Sequence, residues 1–105
     1  MGDEPDLTPR QELQDILESI TGNVYFQPPA TFQMKYPCIV YALDDMNTKF
    51  ADNVPYAIDK RYQVTVIDRN PDTAIPDAVA LLAKCRFDRY FPNEGLNNYV
   101  FQLYY

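Results

Sequence analysis

The sequence has no histidine, no tryptophan, three glycines and two cysteines. Without histidine, a Ser-His-Asp triad, a Cys-His pair and the usual zinc ligand sets cannot be assembled. Three glycines leave no material for a glycine-rich phosphate cradle. Cys38 and Cys85, in a chain with 47% hydrophobic residues, do not make a disulfide scaffold and read as small buried hydrophobes. Basic residues are also scarce, 9 against 15 acidic ones, for a net charge of −6. Lys and Arg must displace counterions from phosphates for unspecific nucleic-acid binding, and an anionic membrane makes a similar demand. The charge balance disfavours both. No apolar run approaches the ~20 residues of a membrane span. Asp3, Glu4 and Asp6 give the start of the chain the wrong charge for a signal peptide, and Asp6 stands where a myristoylation signal wants Ser or Thr. The expectation is a protein kept in a reducing cytosol, with no cofactor, no metal and no enzymatic centre.

What remains is one domain's worth of chain, 105 residues, enough for a single core. Residues 1–7 are acidic and aperiodic and read as a flexible tail; residues 8–105 read as the domain. Thr8, Pro9 and Gln11 write a capping box. Leu13, Ile16, Leu17 and Ile20 follow at helical spacing, which predicts a helix over 8–20. Short β-like runs follow at 24–27 and 38–43. Asp44 to Pro55 is polar and reads as a loop of about ten residues, with room for a short strand at 48–50. In 56–68, Tyr62, Val64 and Val66 alternate with Gln63 and Thr65, the pattern of a sheet packed on one face. Ile75, Ala78, Val79 and Leu82 predict a second helix over 73–85. The segments 86–91 and 99–105, separated by Pro92 to Gly95, predict a hairpin. The order is α-β-β-β-α-β-β, an α+β fold: a single, mostly antiparallel sheet with two helices on one face. The other face would then lack a covering layer.

Four groups of residues are candidates for function. Asp44, Asp45 and Asp52 carry carboxylates that suit a hard cation, but the spacing matches no EF-hand and a solvated turn explains them. Asp59 and Asp68 would sit some 30 Å apart along one strand, at ~3.3 Å per residue, which excludes joint acid–base work. Lys60, Arg61, Lys84, Arg86 and Arg89 interleave with Tyr62, Phe87 and Tyr90, as single-strand binders interleave charge with stacking rings; the missing glycine and the acidic total speak against it. Tyrosine is the surplus: 9 Tyr beside 6 Phe. Tyr is enriched at protein interfaces, so Tyr41, Tyr56, Tyr104 and Tyr105, with Lys60, Arg61, Arg86 and Arg89, are the expected contact residues on a bare, tyrosine-rich sheet face. Charge is divided unevenly. Residues 1–59 hold 10 acids and 3 bases, and residues 60–105 hold 5 acids and 6 bases, which supplies two unlike patches.

Four stretches carry a resemblance to a known family: Tyr36-Pro37-Cys38-Ile39-Val40-Tyr41, the run from Asp59 to Ile67, the Asn70-Pro71-Asp72 break into a helix, and the closing run from Gly95 to Tyr105. Together with the opening helix and the element order, they resemble the small tail-terminator (tail-completion, head–tail joining) proteins of long-tailed bacteriophages. The resemblance implies a structural protein of the virion, at the head-proximal end of the tail, assembled in the host cytoplasm. It implies a homo-hexameric ring that ends tube growth, with a single copy in solution being compatible. Its partners would be the tail tube protein and the head connector. In such a ring, Asp44, Asp45 and Asp52 lining the lumen would repel passing DNA. Another neck component, adaptor or stopper, and a monomeric protein-binding module are the alternatives.

Overall fold

The computed structural model describes residues 7–105, apart from the side chain of Tyr56. The expected tail falls almost wholly on residues 1–6, which lie outside the described residues. Its last member, Leu7, is exposed.

The elements run α1 (Pro9–Glu18), β1 (Val24–Phe26), β2 (Cys38–Ala51), β3 (Val54–Asp68), α2 (Ile75–Ala80), β4 (Cys85–Asn93) and β5 (Leu96–Tyr104). This is the α+β order read from the sequence. The five strands form one sheet in the order β1-β2-β3-β5-β4. Every neighbouring pair is antiparallel except β1 with β2. That parallel pair requires a crossover, which residues 27–37 supply.

Helix α1 begins where its cap dictates. The Thr8 hydroxyl accepts from the Gln11 amide at 3.2 Å, and the Gln11 side chain accepts from the Thr8 amide at 2.8 Å. Two of the orphan donors at the helix start are thereby satisfied. Helix α2 is shorter than its apolar spacing implies, 75–80 rather than 73–85. Thr73 turns back onto the Ile75 amide, Pro76 occupies the first turn, and the left-handed Lys84 (φ 57°) leads the chain into β4. Leu82 still reaches the core, whereas Leu81 is 87% exposed.

Both helices pack on the same sheet face. Leu13 and Leu17 of α1 and Val79 of α2 join one buried cluster with Val24, Ile39, Tyr41, Tyr62, Val64, Val66, Phe101 and Leu103. The registers Ile39↔Val66↔Tyr99 and Tyr41↔Val64↔Phe101 put these strand residues on one side. Their period of two is the pattern read in 62–66. Of the two thiols, Cys38 is wholly buried and Cys85 half-buried. Burial, then the nearby Asp68 carboxylate, pushes the Cys38 thiol up to about 11, so it stays protonated and inert.

The opposite face has no helix on it, yet it is not the uncovered face expected from the sequence, since Cys38, Ile67 and Val100 are buried there. It is not the ring-rich surface the composition suggested. Val40, Ala42, Gln63, Thr65 and Gln102 are half-buried there, and Tyr25 is partly covered by Phe32 of the crossover, with ring centroids 5.0 Å apart. Tyr41 and Tyr62 fall on the helix side because the alternation of β2 and β3 sends them there.

The largest departure is the stretch Asp44 to Pro55. It is not a loop but the distal half of a long hairpin. β2 and β3 pair continuously, with register shifts at Asp44 and Tyr56, out to Ala51↔Val54. Asp52 (φ 53°) and Asn53 (φ 63°) close it as a two-residue turn with both residues left-handed, the geometry that matches strand twist. The hairpin extends roughly 25 Å past the body, taking eight residues at ~3.3 Å each.

Candidate functional site

Two parts of the sheet display what a partner would contact: the projecting arm formed by 44–60, and the outer strand β4. β1 covers only Ile39 to Tyr41 of β2, and β5 covers β3 only from Arg61 onward. Among the described residues, the arm is therefore a two-stranded ribbon joined along its outer edges by no third strand, and the Lys60 carbonyl at its base accepts from the Tyr105 amide at 3.1 Å. β4 is the last strand of the sheet on the other side.

Alternation sorts the arm's side chains. Met46, Thr48, Phe50 and Ile58 continue the helix side of the sheet; Asp45, Asn47, Lys49 and Asp59 continue the open side. α1 and α2 do not reach this far, so Met46, Phe50 and Ile58 are exposed at 49%, 62% and 56%. On the open side Lys49 and Asp59 form an ion pair at 3.0 Å. The same sorting holds on β4. Phe87 and Tyr90 lie on the helix side, opposite Phe101 and Tyr99, while Arg86, Arg89 and Phe91 lie on the open side. Phe87 stacks edge-on against Phe101 and Tyr90 tilts against Tyr99, yet both remain about half exposed.

At the arm's base the fold gathers several of the sequence-derived candidates. Arg61 Nε donates to Asp44 at 2.9 Å. The Tyr104 hydroxyl, more than Asp44, holds the Arg61 guanidinium above its already high range. Tyr104 faces Arg61 across the β3–β5 ladder, and its amide donates to the Lys84 carbonyl at 3.0 Å. Asp44, Lys60, Arg61, Tyr104 and Tyr105 are thus neighbours, with Arg86 on the same open side next to Gln102. Beside them, an apolar groove of about 410 Å³ opens between α1 and the α2–β4 connection. Pro9, Leu13, Ile16, Leu82 and Tyr105 line it, and only Glu12 and Lys84 bring charge.

Tyr41 does not belong to a contact surface. It is wholly buried. Its hydroxyl donates to Gln14 Oε1 and accepts from Arg10 at 3.1 Å, and its ring tilts against Phe26 at 4.9 Å. The physical reason is parity: Tyr41 lies two residues from Ile39 on the core side. The Tyr56 side chain lies outside the described residues. Arg86 and Arg89 are exposed, with Arg89 paired to Asp88 at 3.0 Å. The three candidate acids are not a cluster. Asp44 is tied to Arg61 at the base, Asp45 accepts from the Met46 amide at 2.9 Å, and Asp52 stands at the tip. Among the described residues, no group of three His, Cys, Asp or Glu side chains is gathered. The interleaved basic and aromatic residues do not form one platform either, because Tyr62 points into the core while Arg61 points away from it.

Missed in the sequence were Met46, Phe50 and Ile58, and with them the arm itself. The available signal was a two-residue Asp52-Asn53 turn between β-forming residues. No family model matches the chain, and no curated protein matches it.

Proposed function

We propose that this chain is a structural assembly protein whose copies form a ring at the head-proximal end of a bacteriophage tail, ending tube growth and offering a docking surface to the head connector. One observation carries the self-assembly part. Large apolar side chains stand uncovered on two different edges of a single sheet, on the arm and on β4. Exposed apolar patches of this kind mark interaction surfaces, and two unlike patches on one molecule make heterologous contacts, the kind from which a ring forms when the rotation between copies closes. The virion role is supported by the element order and by the stretches 36–41, 59–67, 70–72 and 95–105.

In this reading the ring meets the tail tube protein on one side and the connector on the other, and neither membrane nor specific nucleic-acid sequence is a partner. The test is electron microscopy of particles made without the protein. Overlong tails unattached to heads are expected. Tails of normal length would move the chain to an adaptor or stopper position. Normal, head-bound tails would remove it from the virion and leave a monomeric binding module.

A further inference from the structure

The arm and β4 are opposite in net charge, and both leave apolar side chains exposed on the helix side. Residues 44–60 carry four acids and two bases; residues 84–93 carry three bases and one acid. Laid antiparallel and end to end, the two edges bring Asp52 at the arm's tip to Arg86 of β4. On the helix side, Met46, Phe50 and Ile58 of the arm correspond to Phe87 and Tyr90. The open edge of the arm, 44–51, and the edge of β4, 85–93, have nearly equal lengths. They also lie on opposite margins of one sheet. Strand directions alternate from β2 through β3 and β5 to β4. Two copies held in the same orientation therefore bring β2 and β4 together antiparallel, the more stable sense of pairing.

We propose that the arm of one copy lies along β4 of a second copy, with its Asp52 tip at Arg86 and its apolar side on Phe87 and Tyr90. This deepens the ring reading above and rests on it. The bulge at Asp88 and the missing amide of Pro92 interrupt the β4 edge. Such devices limit open-ended strand pairing, so side chains rather than a continuous backbone ladder carry the contact. Because the arm projects past the body, successive copies are staggered along the strands. The strands consequently tilt against the ring axis, as they do in a closed barrel.

Charge exchange tests this contact. One variant carries Asp45→Lys and Asp52→Lys; a second carries Arg86→Glu and Arg89→Glu. All four sites are exposed, and circular dichroism with thermal melting checks that each variant folds. Sedimentation from micromolar to millimolar concentration is the readout. Each variant alone is expected to need at least about tenfold more protein than wild type to associate, since like-charge juxtaposition across an interface costs several kcal/mol. A one-to-one mixture, or one chain carrying all four changes, regains association. Variants that associate as wild type does overturn the arm–β4 contact while leaving the ring intact. A wild type that stays single-copy at every concentration and also beside isolated tube ends overturns the contact and the ring together.

Discussion

Tyr41 shows how one side chain serves the core rather than the surface. Its ring fills the space between Phe26 and Tyr62, and Gln14 links the hydroxyl to the Val24 carbonyl at 3.3 Å. Tyr41→Phe removes the hydroxyl from partly hydrated partners and is expected to cost about 1 kcal/mol. Tyr41→Ala opens a cavity and should cost about 3–5 kcal/mol. Urea unfolding distinguishes the two. A loss under about 1 kcal/mol for Tyr41→Ala would mean that the ring is not in the core. Cys38 makes a second prediction. Its folded pKa, raised to about 11 from 9.0, means that the neutral thiol is favoured in the fold. The unfolded chain then loses its proton first, so stability that is intact below pH 9 is lost as pH rises toward 11. Burial also raises Cys85, Tyr41 and Tyr99, which adds loss in the same direction. Stability profiles should fall over this window, and less steeply in Cys38→Ser. In the native state at pH 8, thiol reagents should reach Cys85 before Cys38.

At the scale of elements, the arm depends on its turn. Asp52 and Asn53 both adopt left-handed backbone, which β-branched residues resist. Asn53→Val should cost about 1–2 kcal/mol and fray the arm, seen as faster amide exchange in 44–60 while the body's rates hold. Unchanged exchange would show that the turn does not organise the hairpin. Thr8→Ala, by contrast, acts only on α1 and should cost about 1 kcal/mol through the lost cap. These two elements also mark what was legible in the sequence. The α1 cap and stripe could be read because both cap and core contacts are local and periodic. β3 could be read for the same reason where it is covered, at Tyr62, Val64 and Val66. The arm was not, because periodicity arises when one face is buried. Here both faces are exposed, so Asp and Asn dominate and resemble a loop. The α2 boundary failed differently, since Leu81 and Leu82 extend the spacing while the chain has already turned. Of the candidate site, Lys60, Arg61, Tyr104 and Tyr105 converge through strand pairing. Tyr41 was misjudged because composition reports a tyrosine surplus without saying which side of the strand each ring takes.

For the whole molecule, the proposed contact between copies sets an acidic arm at one margin of the sheet against a basic strand at the other. Exposed charge pairs are screened over about 8 Å at physiological salt. Association should therefore weaken as salt rises from 0.05 to roughly 0.5 M, whereas a purely apolar contact would hold or strengthen. The most direct measurement is native mass spectrometry of the purified chain across micromolar to millimolar concentration, repeated in the presence of the isolated tail tubes that the proposed function requires. A closed species of six copies, formed at high concentration or at the tube end, is the predicted result. A single copy at every concentration and beside every tube end would contradict it.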